Sequence, residues 1–329
     1  MTEKIRWGII GPGGIANNLV KGVQALPDAE VLAVASRDGD RAEAFGEKWG
    51  IPRRYTGYEA LVADPDVDIV YVSTPHPYHA PCALLALKAG KPVMCEKPFT
   101  VNAGEARSVV EAARAGGLFL MEAMWSRFFP LMATVREVAS SGRIGEPLLL
   151  HADFGFRAGF NPESRLFSPA LAGGGLLDVG VYPISLASML FGKPDRVTGL
   201  ANLGQTNVDE AAVISLAYPG GAMAALSTGV RVNTPQVAYI MGSDGSMEIP
   251  SPWWVPERLI IKSGGQTEEL NVPKTASGFE YQAAEAGRCL REGLTESPIL
   301  PLDETIDVME TMDTLRAQWG VRYPMEEQQ

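Results

Sequence analysis

The run WGIIGPGGIANNL, residues 7–19, constrains this chain more than any other stretch. It sets Gly11, Gly13 and Ala16 in a GxGxxA arrangement, directly after an apolar β-branched run and at the opening of a helical pattern. Each residue type has a physical task. Gly11 permits a tight turn and Gly13 lacks the Cβ that would block a pyrophosphate. Ala16 lets a helix pack closely on a strand, and the helix N-terminus attracts negative charge. Such turns are common, so the pattern takes its weight from its surroundings. The runs VLAVAS, DIVYVST, PVMCE and LFLMEA follow at intervals long enough for crossover helices. In the first interval Ile15, Leu19, Val23 and Leu26 recur at helical spacing. The alternation predicts a parallel sheet of βαβ units, a Rossmann domain over residues 1–122, whose first turn, including Gly14 and Ile15, is the expected dinucleotide site.

After about Ala123 the texture changes. EPLLLHADFGF, RVTGLANL, AAVISLAY and AMAALSTGV are joined by turn signals such as PGG, SDG and SGG without intervening helices. Residues 123–329 are therefore expected to form a second α/β domain around a large, mostly antiparallel open sheet, closed by helices in SGFEYQAAEAGRCLREG and PLDETIDVMETMDTLRAQW. A chain of 329 residues, 46% hydrophobic, can bury the cores this requires. A formal net charge of -11 with no Lys/Arg cluster argues against nucleic acid. The charged start MTEKIRWGII and the lack of a long uncharged apolar run argue against export and membrane insertion. Cys82, Cys95 and Cys289 are odd in number and widely spaced, which fits neither a disulfide framework nor a zinc site. A cytoplasmic protein without a metal is the expectation.

The strand VLAVAS ends at Ser36, followed by Arg37 and, one turn on, Arg41. A carboxylate there would favour NAD, whereas a hydroxyl and two cations suit the 2′-phosphate of NADP. The plainer reading makes both arginines solvated charges offset by Asp38 and Asp40. STPHPYHA brings Ser73, Thr74, Pro75, His76 and His79 to the end of another strand, where they are expected to line the same cofactor crevice. CEKP does the same for Glu96 and Lys97, and Pro98 biases Lys97 towards extended backbone. A surface ion pair between Glu96 and Lys97 is the plainer alternative. Finally, LLDVGVYPIS places Asp178 and Tyr182 four residues apart after three glycines, on one face if the segment is helical.

Together, GIIGPGGIA, VSTPHPYH, AGKPVMCEKP and GGGLLDVGVY, in that order, resemble the glucose-fructose oxidoreductase/inositol dehydrogenase (Gfo/Idh/MocA) family over nearly the whole chain. MEAMWSRFFP, ADFGF and GGGLLDVGVYPIS look most like its branch of dimeric dihydrodiol dehydrogenases and NADP-dependent D-xylose 1-dehydrogenases. Many members carry DxGxH with a catalytic histidine. Here Asp178, Gly180 and Tyr182 give DxGxY, which speaks against the inositol dehydrogenases.

The resemblance implies hydride transfer between NADP and a C–OH of a sugar or cyclic trans-diol. Tyr182 would be the acid/base, Lys97 its activator and a substrate ligand, and Asp178 an orienting acceptor. It also implies an aromatic substrate pocket of Trp125, Phe154 and Phe279 with Arg127 beside them, and a homodimer through the open sheet. Phe156 is expected in the core. Two alternatives remain, a keto-sugar reductase, nucleotide-linked or not, and a non-catalytic dinucleotide-binding regulator.

Overall fold

A computed structural model describes residues 4–328, and these form two compact units. The first runs through Phe128 and takes back Lys274–Thr305; the second holds Phe129–Pro273 and the chain from Ile306 onward. A division at 122/123 would leave the segment 274–305 with the second unit. Local packing explains its place in the first. A Cβ at Gly22 would strike the backbone of Phe279 and Glu280, and the Ser277 hydroxyl donates to Asn18 O at 2.8 Å.

Six parallel strands make the sheet of the first unit: β1 (Ile5–Ile10), β2 (Ala29–Ser36), β3 (Arg53–Thr56), β4 (Ile69–Val72), β5 (Val93–Glu96) and β6 (Leu120–Ala123). Their spatial order is β3-β2-β1-β4-β5-β6. Helices α1 (Ala16–Gln24), α2 (Gly39–Trp49), α3 (Tyr58–Val62), α4 (His79–Lys88) and α5 (Ala103–Gly116) connect them. β4, β5 and β6 are buried along their whole length, as strands covered on both faces must be. β3 is a four-residue RRYT without an apolar run, so periodicity passes over it. The strand order reverses between β1 and β4, and ligands of such sheets bind at that point, outside the carboxyl ends.

The second unit begins with α6 (Pro130–Ser140) and β7 (Pro147–Gly155), then a π-helical turn, Leu176–Gly180, that runs into α7 (Val181–Phe191). There follow β8 (Arg196–Leu203), β9 (Asp209–Ala217), β10 (Met223–Gly229), β11 (Ala238–Gly242), β12 (Gly245–Ile249), β13 (Arg258–Ser263) and β14 (Gln266–Asn271). The sheet runs β14-β13-β12-β11-β7-β10-β9-β8, antiparallel except at β7–β10. Its period-two alternation buries Leu150, Ile214, Leu216, Leu226 and Ile240 on one face, where α7 packs against β7 and β10. By register the other face carries Leu200, Val213, Met223 and Tyr239, all exposed. Helix α8 (Glu280–Arg291) belongs to the first unit, and α9 (Leu302–Trp319) starts there and continues into the second. The span Pro169–Phe191 is apolar enough to cross a membrane, but 83% of its most apolar window is buried, so it is read as a core helix.

Candidate active site

The glycine turn after β1 has the form its sequence demands. Gly11 sits at φ +92°, and a Cβ on it would press within 3.0 Å of Ser73 O and Thr74 N. Only glycine combines that dihedral with so close an approach. The Gly13 amide donates back to Gly11 O at 2.8 Å, and Gly14 has nothing within 4 Å of its Cβ position. Ala16 is fully buried against the sheet. Helix α1 has no side-chain cap at Ile15 and no acidic residue in its first turn, whereas α2 and α5 are capped by Asp38 and Asn102. Asn17 N and Asn18 N donate to Gly14 O and Ile15 O, so an anion at this turn would meet the amides of Gly14, Ile15 and Ala16. Asn17 braces the turn from outside. Its Nδ2 donates to Gly13 O and Gly14 O, and its Oδ1 accepts from Lys48 and Trp49.

At the end of β2, Ser36 is buried and Arg37 and Arg41 are exposed. The Arg37 guanidinium lies 4.7 Å from the centre of the Tyr78 ring. Asp38 turns its carboxylate to the amides of Asp40 and Arg41 as the cap of α2, so it is engaged with its own helix. After β4, the Ser73 hydroxyl donates to Gly11 O at 2.8 Å, locking the two strand ends together. Thr74 is buried, and Pro75 caps the short 3-10 turn His76–Tyr78. His76 is buried edge-on to His79, with ring centres 5.7 Å apart. His79 Nδ1 and Nε2 each lie 2.8 Å from a carbonyl, of Pro98 and Thr74 respectively, so the imidazole sits between the loops after β4 and β5 and, when neutral, donates to one of the two. Burial holds its pKa below the usual imidazole value.

Glu96 is buried, not a solvated surface charge. Its carboxylate accepts from the Tyr71 hydroxyl and from the Lys97 amide. Lys97 is partly exposed at the carboxyl end of β5 and is joined to Pro98 by a cis peptide. Trp125 stacks on buried Phe279, centres 4.8 Å apart and planes 29° off parallel. Arg127 was expected beside the substrate pocket. It is 2% exposed, and its guanidinium is bound to Glu304 (2.7 and 3.2 Å) and Ile299 O (3.1 Å), a buried structural ion pair within the first unit. A charge that deep requires such partners.

In the second unit, Val181 N donates to Leu176 O, one residue further back than in an α-helix, so the turn carrying Asp178 is π-wound. Pro183, just inside α7, has no amide to give the preceding turn, which accounts for the wider winding. Asp178 is 3% exposed and pairs with Arg165 at 2.5 Å. Tyr182 is 6% exposed and meets Phe154 edge-on, centres 5.1 Å apart. Phe154 in turn stacks face to face on Trp254 at 3.4 Å. Phe156 packs on the core of Phe167, Val179 and Val230, as expected. Trp254 and Arg165 escape the sequence reading. The WW pair at 253–254 is a signal for the first; a lone arginine in a loop offers none for the second.

The family model for an oxidoreductase family with an NAD-binding Rossmann fold matches residues 5–124, and that for the GFO/IDH/MocA C-terminal domain matches residues 132–248. The chain belongs to the Gfo/Idh/MocA oxidoreductase family. Within it, the chain is 40% identical to trans-1,2-dihydrobenzene-1,2-diol dehydrogenase of Mus musculus, over 98% of this chain and 99% of the relative. Among solved structures it resembles KijD10, a 3-ketoreductase from Actinomadura kijaniata in complex with NADP and TDP-benzene. That likeness has 29% identity and TM-score 0.84, over 96% of this chain and 98% of the other. An aldose-aldose oxidoreductase from Caulobacter crescentus complexed with glycerol matches at 25% identity and TM-score 0.87, over 97% and 98%.

Proposed function

We propose that this family member is an NADP-dependent dehydrogenase that oxidises a C–OH of an aldose or a cyclic trans-diol, with Tyr182 as the base. The observation that carries the reading is Tyr182 itself, a nearly buried phenol at the start of α7, set edge-on to Phe154 and following directly on the turn that carries the ion-paired Asp178. Rings such as Phe154 and Trp254 suit the C–H faces of sugars and diols, whose hydroxyls seek polar edges. The cofactor fits the first unit. The open surface at Gly14 and the uncapped start of α1 would hold the pyrophosphate, and Arg37 and Arg41 at the end of β2 the 2′-phosphate. NADP supplies the hydride chemistry.

The protein's own part is proton transfer and orientation. A phenol ordinarily titrates near about 10, so Tyr182 needs a cation to work at neutral pH. Lys97 takes that role in this reading and also bonds the substrate hydroxyl, while Asp178, held by Arg165, orients the substrate. The dihydrodiol dehydrogenase of the mouse supports the diol reading. The 3-ketoreductase likeness supports a second one, reduction of a keto-sugar, in which the same tyrosine would protonate the developing alkoxide. We further propose a homodimer in which a second copy covers the exposed sheet face of Leu200, Val213, Met223 and Tyr239. Three buried thiols suit a reducing cytoplasm.

The test is reduced-nicotinamide absorbance with NADP offered against a panel of aldoses, inositols and cyclic trans-diols, and the reverse assay with keto-sugars. Tyr182→Phe should remove most turnover and leave NADP affinity intact; unchanged turnover would overturn the assignment.

A further inference from the structure

We propose that Asp209 is a positioning residue for catalysis: its carboxylate, inserted from β9 under the glycine run Gly173–Gly175, caps the helix that carries Asp178 and Tyr182. The start of that helix has no local side-chain cap. Its first amide, of Leu176, donates instead to Asp209 Oδ2 at 2.6 Å, from a residue 33 positions later in the chain. Asp209 is fully buried, and its Oδ1 has no hydrogen-bond partner among the described residues.

The glycines are what admit it. Gly174 sits at φ +119°, and a Cβ there would collide with Asp209 Oδ1, while one on Gly175 would lie 3.4 Å from Oδ2. Two further bonds pin the same turn. The Thr228 hydroxyl of β10 donates to Gly175 O at 3.3 Å, and the buried Tyr323 hydroxyl donates to Gly173 O at 2.6 Å. An anion at the amino end of a helix satisfies orphan amides and the helix dipole together. Here the acceptor comes from the sheet, so it fixes the helix against β9 and, through Thr228, β10. Asp178 and Tyr182 follow two and six residues later on the same backbone. A run of glycines before a helix ordinarily leaves room for a ligand; this one is occupied by the chain's own carboxylate.

The inference rests on Tyr182 as the acid/base, so its test has an arm that does not need activity. In the full chain, Asp209→Ala, Asp209→Asn and Tyr182→Phe are compared for NADP affinity, kcat, KM and residue-level hydrogen exchange over 176–182. Asp209→Thr accompanies them in case the alanine variant does not fold; it keeps nearly the same volume and a strand-favouring shape but cannot reach the Leu176 amide. The alanine and threonine variants should speed exchange at Leu176 and lower kcat about ten-fold or more, the scale expected when a catalytic group shifts by part of about 1 Å. NADP affinity and KM should stay at parental values, and Asp209→Asn, which keeps an acceptor oxygen, should restore both kcat and slow exchange. Parental kcat and exchange in the alanine or threonine variant, or failure of the asparagine variant alongside them, would overturn the inference. If Tyr182→Phe retains turnover, the proposed function falls while the exchange arm still decides on Asp209.

Discussion

The molecule contains two glycine turns that each feed a helix, and they are used in opposite ways. At Gly11–Ala16 the backbone of the neighbouring strand end crowds Gly11, yet the helix start beyond it is open and uncapped. At Gly173–Gly175 the same kind of opening is filled by Asp209. Local sequence is nearly silent on the difference. What separates the two is the residue the sheet presents beneath the turn, a strand-end backbone in one unit and a carboxylate in the other. Glycine therefore marks a close approach, and tertiary context decides whether a ligand or the protein itself makes it.

Substitutions that add a Cβ break the comparison most severely. Gly11→Val adds bulk against Ser73 and Thr74 at a dihedral that β-branched residues avoid, and should weaken NADP binding on the order of 100-fold. Fluorescence titration measures it. Gly174→Ala should do the reverse, lowering kcat about ten-fold with NADP affinity unchanged, because the collision falls on Asp209. A smaller effect sharpens the first turn. Arg37→Ala should raise the Kd for NADP about ten-fold and leave that for NAD nearly alone, since only the former carries a 2′-phosphate. Equal losses for both cofactors would remove Arg37 from that role.

A different kind of effect concerns charge at the second turn. Burial pushes the Asp209 carboxyl up to about 7, although the Leu176 amide and Arg316 pull the other way. Arg316 is itself paired with Asp313 and Glu326, and Tyr323 lies beside it. A carboxyl ordinarily titrates near about 3.9, so between there and about 7 the folded form holds a proton that the unfolded chain has lost. Its contribution to stability is therefore full below about 3.9 and is lost as pH rises to about 7. The Tm of Asp209→Asn, which cannot ionise, should gain on the parent across that window and run parallel above it. A constant difference would mean that Asp209 is not buried as an acid.

The first unit was largely legible in the sequence, because β-branched runs and helical periodicity alternate there in long, regular intervals. β3 was not, since RRYT is short and polar. The return of Lys274–Thr305 to the first unit rests on contacts such as Gly22 against Phe279, which no local pattern encodes. In the second unit the antiparallel sheet could be read from its turns, but not its single parallel pair, β7–β10, which depends on a long-range connection. The Glu304 partner of Arg127 was not legible, because an arginine among aromatics looks the same in sequence whatever it pairs with. Arg165 and Asp209 carry no local signal at all.

Residue-level hydrogen exchange on the cofactor-free chain tests the contrast between the two turns most directly. The Leu176 amide should exchange slowly, held by Asp209, while the amides of Gly14, Ile15 and Ala16 exchange quickly and slow only when NADP is added. A Leu176 amide that exchanges as fast as those three would contradict the account.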